Sequence, residues 1–298
     1  MDLKLCVNCG FAINRYVEPE VWGQIVGEEL GLKSVQFVAD LLNPFLPDDI
    51  VKSQIRRIRQ SMERYGFRVD SIFTSAFTRV NHIVHPDADV RTMWMDWFEK
   101  LFRIGAELGA TTSGSHFGIL TFDIYNDVEK RKRFTETGIE NWQKLTFKAK
   151  ELGYECLMFE PMSVPREFAY TVAETKRLMD AVNENSGVPM RICLDIGHSP
   201  HPDEWDCYPW IEALGAVAPM IHIQQSVLGK SNHWPFTKEY NEQGYIEPDK
   251  VLKALEKSGC KKSLMTLELS HREHWDTDGR VVEDHKASVD YWRQYVKE

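Results

Sequence analysis

Apolar and polar residues along this 298-residue chain alternate between two periods. Short runs rich in Val, Ile, Leu, Met or Phe, each bounded by polar residues or Gly, fall at 3–11, 34–40, 69–75, 111–117, 156–161, 190–198, 220–226 and 263–270. Runs of that length and composition predict strands. Between them the period becomes helical. The clearest case is DVRTMWMDWFEKLFRIGAELG at 89–109, with apolar residues at i, i+3, i+4 and i+7 and a closing Gly. PDKVLKALEKSG at 248–259 follows the same plan, with Pro at its start and Gly at its end. Leu108-Gly109, Leu152-Gly153 and Ser258-Gly259 each precede a strand-like run, as helix caps that feed αβ loops do.

The strand-then-helix unit recurs eight times, with no Ser/Gly-rich linker, low-complexity tract or break in composition. This predicts an α/β chain with one domain over 1–298, a single (β/α)8 TIM barrel rather than an open sheet; such barrels commonly need about 250 residues. Hydrophobic residues at 43% and charged residues at 27% fit a globular protein with a sizeable core. A formal charge of −9 argues against a nucleic-acid partner, because neutralising phosphates needs clustered Lys and Arg. It does not argue against a small anionic substrate, which a few local cations can hold.

The N-terminus MDLKLCVNCG has no basic stretch leading into an apolar one, and no apolar run approaches the roughly 18 residues of a membrane span. A cytoplasmic setting, away from membranes, is expected. Cys6, Cys9, Cys156, Cys193, Cys207 and Cys260 are then free thiols. Cys6 and Cys9 have the spacing of a redox CxxC, but they fall in the first strand rather than at a helix start, where a thiolate is stabilised.

In a barrel of this kind, reactive side chains come from the C-terminal ends of the strands. There the chain places lone charged or metal-capable residues inside apolar runs. CLMFEP carries Glu160, RICLDIGH carries Asp195 and His198, MIHIQQ carries His222 and LMTLELS carries Glu268. A buried, unpaired carboxylate or imidazole costs several kcal/mol, so each needs a partner. One divalent cation bound by Glu160, Asp195, His222 and Glu268 satisfies all four. The oxygen-rich set suits Mn2+ first, or Mg2+ or Co2+, better than a thiolate-rich structural zinc site.

The order Glu160…Asp195-Ile-Gly-His198…His222…Glu268 resembles the xylose-isomerase-like TIM barrels of the D-tagatose/D-psicose 3-epimerase group, over essentially the whole chain. The resemblance implies metal ligation by these four residues and a substrate contact through His198. It also implies a second Glu six residues after the first; that position is Arg166 here, with Glu167 beside it as the substrate contact. An Arg expected six residues after the metal His is replaced by Leu228, with Lys230 and His233 nearby. Barrels of this group often pair through their faces, which allows a homodimer or homotetramer.

The expected reaction follows from the residue types. Removing a proton from the carbon beside a ketose carbonyl leaves an enediolate, whose charge a divalent cation stabilises. Two carboxylates on opposite faces can exchange protons with that carbon and invert it; Glu160 and Glu268 are the expected pair. Binding shifted by one carbon gives aldose–ketose isomerisation on the same site. An inosose-type dehydratase would use the same metal and base but expel hydroxide. An abasic-site endonuclease would need more metal ligands and a basic face, and a sugar sensor would not need two opposed proton carriers.

Three further stretches bear on the substrate. TRVNHIVHP after the third strand offers Arg79, Asn81 and His82; SGSHFG at the fourth offers His116 and small residues; GKSNHWPF after the seventh offers Lys230 and His233. Together they point to a small ketose phosphate or another strongly polar sugar as the partner. Arg79-x-Asn81-His82 with HWPF at 233–236 resembles the tetrulose-phosphate (erythrulose 1-phosphate) 3-epimerase branch. His201, His271, His274 and His285 read as surface or loop residues. Trp94, Trp97, Phe98 and Phe102 have helical spacing and read as packing or a subunit interface.

Overall fold

A computed structural model describes residues 1–199 and 201–296 of the chain. Eight strands, β1 (Asp2–Asn8), β2 (Ser34–Val38), β3 (Arg68–Phe73), β4 (Thr112–His116), β5 (Cys156–Glu160), β6 (Met190–Asp195), β7 (Met220–Ile223) and β8 (Lys262–Leu267), close in sequence order into a parallel barrel. β1 pairs with β8 as well as with β2, so no edge is left open. The helices are α1 (Pro19–Gln24), α2 (Asp48–Tyr65), α3 (Ala88–Leu108), α4 (Phe122–Asn126), α5 (Val128–Glu151), α6 (Val172–Asn183), α7 (Cys207–Leu214), α8 (Lys238–Asn241), α9 (Pro248–Ser258) and α10 (Val281–Trp292). Among the described residues, none of them is long and apolar enough to cross a membrane.

Capping chemistry fixes where these helices start and stop. Asp87 accepts the Asp89 and Val90 N–H groups at the start of α3, and Gly109 closes it with φ of 89°. Pro248 opens α9, and Gly259, φ 80°, closes it. The aromatic stripe of α3 is packing: Trp97, Phe98 and Phe102 are buried, and Phe98 lies 5.6 Å from the Trp142 ring of α5.

The expected strands run too far at their C-terminal ends. The run 3–11 stops pairing at Asn8 and turns through the 3-10 segment Cys9–Ala12; the run 190–198 stops at Asp195. Phe11 and Ile196 remain buried beyond those points, so the apolar pattern continues where the ladder ends. A second correction concerns the histidines. His285 is not at the surface: it lies buried in α10, donating from Nδ1 to Val281 O at 2.7 Å. His271 stands 3.0 Å from the buried Asp284.

Strand periodicity builds the barrel interior in layers. Cys6, Phe73, Cys156, Met158, Cys193 and Met220 form an apolar, sulfur-rich floor. Residues two positions later face the same way. That step carries Cys6 to Asn8, Met158 to Glu160, Cys193 to Asp195 and Met220 to His222. The same register sets Asn8 beside Gln36, His116 beside Glu160 and Asp195 beside His222. The polar layer thus lies at the C-terminal mouth, on a dry floor.

Candidate active site

Glu160 ends β5, Asp195 ends β6, His222 lies within β7, and Glu268 follows β8. His222 Nδ1 is 3.2 Å from Glu160 Oε1, 3.0 Å from Glu268 Oε2 and 4.0 Å from Asp195 Oδ2. One donor atom from each of the four lies within 4.8 Å of all the others. Across the ring, His222 Nε2 stands 2.8 Å from Gln36 Oε1 and 3.2 Å from Cys193 Sγ.

The electrostatics call for positive charge at this point. Among the described residues no Lys or Arg pairs with Glu160, Asp195 or Glu268; their ion-pair partners are all histidines. Burial, reinforced by the charge of Glu268, pushes the Glu160 carboxyl up. Burial acts to lower the His222 ring value, but the neighbouring Cys193, Glu268 and Glu160 outweigh it and hold the ring well above the ordinary value. His198 is raised in the same way, burial being overcome by Asp195, Glu160 and Glu268. For Glu268 the order reverses: burial acts upward, and the His222 charge and hydrogen bond bring its carboxyl down. Three carboxylates converging on one imidazole nitrogen, on a water-poor floor, fit a hard divalent cation. His198 Nδ1 is buried without a hydrogen-bond partner and sits 3.5 Å from Glu160 Oε1, facing the same space.

A second histidine joins this edge. His198 Nε2 lies 3.0 Å from His233 Nε2, and His233 takes a left-handed backbone with φ of 52°. Gln224 donates to both oxygens of Asp195, at 3.0 and 2.9 Å, and accepts the His233 backbone N–H. Gly197 makes room: a side chain there would meet Gln224 at 2.3 Å.

The other sequence-predicted residues have contacts of their own outside the four-residue cluster. Arg79 closes a two-pronged ion pair on Glu167, which is buried, so that carboxylate faces a cation of the protein itself. Asn81 donates to Ile119 O. His82 is fully buried; its Nδ1 accepts the Ile83 N–H at 2.7 Å, and its ring packs on Phe98 and His116. His116 Nε2 donates to Val80 O at 2.9 Å. Asn81, through Ile119 O beyond β4, and His116, through Val80 O, thus brace the β3–α3 loop against the β4 side of the barrel. Lys230 is exposed and closes a turn, its backbone N–H donating to Val227 O at 2.9 Å. Sequence reasoning missed Asn8, Gln36 and Gln224, amides that line the cluster. Their signal is a polar residue inside an apolar run, but an uncharged amide does not by itself demand a partner of opposite charge. Both Cys6 and Cys9 are buried, and burial pushes the Cys6 thiol up to about 12, the reverse of a redox cysteine.

Over residues 26–295 the chain matches the xylose isomerase-like TIM barrel family, and it belongs to that family. It is 33% identical to the D-erythrulose 1-phosphate 3-epimerase of Brucella abortus, across 99% of this chain and 97% of that protein. A putative xylose isomerase from Rhodospirillum rubrum has the same fold, with a TM-score of 0.86 at 24% identity, covering 99% of this chain and 98% of that one. D-psicose 3-epimerase from Clostridium cellulolyticum, solved with D-tagatose, has a TM-score of 0.75 at 15% identity, covering 99% and 100%.

Proposed function

We propose that this chain is a divalent-cation-dependent 3-epimerase of a small ketose 1-phosphate, of tetrulose size. The observation that carries the reading is the carboxylate pair Glu160 and Glu268, each about one hydrogen-bond length from the same His222 nitrogen. The Brucella abortus relative, named for D-erythrulose 1-phosphate, supports the substrate class. Glu160, Asp195, His222 and Glu268 are the residues that would hold the cation, Mn2+ in preference to Mg2+ or Co2+. When bound, the cation supplies Lewis-acid stabilisation of charge developing on the substrate's oxygens.

The protein's own groups do the rest. One member of the pair starts as the carboxylate and takes the proton from the carbon beside the carbonyl; the other starts protonated and gives its proton to the opposite face, so the carbon is inverted and the two exchange charge states. His198 Nδ1, which makes no hydrogen bond within the protein, orients the carbonyl oxygen or the adjacent hydroxyl. Arg79 binds the phosphate: its Nε and one Nη face Glu167, while its side chain remains 41% exposed with further N–H groups to offer. The buried floor keeps bulk water from the enediolate.

The test is proton NMR in heavy water, with Mn2+-loaded and metal-stripped protein against four- to six-carbon ketoses and their 1-phosphates, read after protein and metal are removed. Metal-dependent deuterium uptake at the third carbon, with a new stereoisomer, is the expected result. Uptake at the first or second carbon with aldose formation, or no exchange in any ketose, overturns the reading.

A further inference from the structure

A chain of amides runs behind the His222 ring, and its direction is set by a backbone N–H. Gly10 N donates to Asn8 Oδ1 at 2.7 Å. A backbone N–H can only donate, so the Asn8 oxygen must face it, and the Asn8 nitrogen must face the other way. That nitrogen donates one hydrogen to Gln36 Oε1 at 2.7 Å and the other to Glu268 Oε1 at 3.1 Å. The Gln36 oxygen is thereby turned toward Asn8 and also toward His222 Nε2, 2.8 Å away, while Gln36 Nε2 points to Met220 Sδ at 2.9 Å. A carbonyl oxygen can only accept. The short contact therefore puts a proton on His222 Nε2 and leaves Cys193 Sγ, 3.2 Å from the same nitrogen, as an acceptor; when the ring is neutral, as it must be to bind a cation, its lone pair is on Nδ1, facing Glu160, Asp195 and Glu268.

We propose that Asn8, acting through Gln36, sets the tautomer of His222 and keeps Nδ1 a ligand atom, while its second N–H orients Glu268. The inference rests on the reading that the four-residue cluster holds a divalent cation. Both amides are buried, Asn8 at 3% exposure and Gln36 at 0%, so each polar atom must be paired and neither amide can turn over alone. Turning one over would set two buried donors, or two buried acceptors, against each other. Gly10 belongs to the device as well: a side chain there would come within 2.8 Å of Asn8 Oδ1 and displace it. Asn8 and Gln36 are positioning residues, of the kind that hold a metal-ligating imidazole by its other nitrogen.

The full-length chain and three variants test this without substrate. Asn8→Asp places an acceptor against Gln36 Oε1, so the Gln36 amide turns and the His222 proton moves to Nδ1. Gln36→Leu removes the acceptor altogether. Gln36→Glu keeps it. Two readouts are taken: the Mn2+ dissociation constant by titration calorimetry, and the nitrogen-15 shifts of the His222 ring in metal-free protein at a pH where the ring is neutral. Asn8→Asp and Gln36→Leu are expected to weaken Mn2+ binding about 10–100-fold and to change the ring signature, while Gln36→Glu keeps the Nε2–H form and most of the affinity. Wild-type tautomer and affinity in both Asn8→Asp and Gln36→Leu overturn the proposal. So does a Gln36→Glu variant as weak as Gln36→Leu, which would make Gln36 a packing residue. If Asn8→Asp does not fold, the two Gln36 variants decide. A wild-type protein that binds no Mn2+ refutes the metal reading, and the ring signature still decides the tautomer.

Discussion

The two halves of the barrel mouth use the same residue type in opposite ways. His116, in the β1–β4 half, and His222, in the β5–β8 half, are both buried. Burial pushes His116 down to about 4, with only the Val80 carbonyl acting the other way among its strongest influences besides Arg79, which also lowers it. The same burial on His222 is overcome by the charges around it, and its ring is held above the ordinary value. The β1–β4 half offers mostly neutral donors and acceptors that bond each other, as Thr74 Oγ1 does to Ser115 Oγ at 2.7 Å, with the Asp40 carboxylate accepting from Ser75 Oγ at its rim. The β5–β8 half gathers the carboxylates. Confining charge to one half makes physical sense, since each carboxylate added to a dry interior needs a cation near enough to share. One half of the mouth thus carries the three-carboxylate cluster, and the Asn8 and Gln36 amides of the other bond to it.

The largest expected effect breaks the charged half. Glu160→Gln and Glu268→Gln each keep the side-chain shape and remove a proton carrier. Each should lower turnover by about 10²–10⁴-fold with the fold intact by circular dichroism. The double variant should lose little more than the weaker single, because the two act as a unit. Turnover within tenfold of wild type in either single variant would remove that residue from the proton-carrying pair.

How far this division was legible in the sequence depends on what a polar residue had for neighbours. Glu160 in CLMFEP and His222 in MIHIQQ stand alone in strand-period apolar runs, so their burial could be inferred, and with it the need for a shared partner. The barrel was legible for the same reason, through eight repeats of a strand period followed by a helical one. Asn81 and His82 sit in a loop, where sequence does not say whether a side chain faces a ligand or replaces a missing backbone partner. In the structure His82 Nδ1 accepts the Ile83 N–H and Asn81 donates to Ile119 O, bonds that no local sequence signal announces. Arg79 and Glu167 lie 88 residues apart in sequence, and nothing local announces that they pair. His285 was misread because a helix-period polar residue looks solvent-facing until the neighbouring Phe11 is seen to cover it, 5.2 Å away.

A smaller effect sharpens the comparison at the boundary between the halves. Arg79→Met removes the guanidinium from Glu167 and from the phosphate we assign to it. KM for the phosphorylated ketose should rise roughly 10–100-fold, the worth of one charge-assisted contact, with little change for the unphosphorylated sugar. Since Arg79→Met alone strands the buried Glu167, the double variant Arg79→Met/Glu167→Gln is the cleaner measurement. It should show the same KM rise without the loss of stability that an unpaired buried carboxylate brings. Equal losses on both sugars would mean that the pair only closes the loop.

The smallest effect on turnover is expected in the neutral half. His116→Gln can still donate to Val80 O, so kcat at neutral pH should stay within about twofold of wild type. Its signature is acid stability. The unfolded chain protonates His116 near 6.5, while the folded chain resists until about 4. Between those values the unfolded state binds more protons, so this stabilisation is complete above 6.5 and is lost as pH falls toward 4. Urea unfolding from pH 6.5 down to 4 should therefore show a shallower decline in His116→Gln, by at most about 1.4 kcal/mol per pH unit, one proton's worth. His285, also held down to about 4, continues to titrate in the variant and leaves part of the slope in place. A variant whose acid stability matches wild type but whose turnover collapses would put chemistry in the β1–β4 half, and the division drawn between the halves would fail at His116.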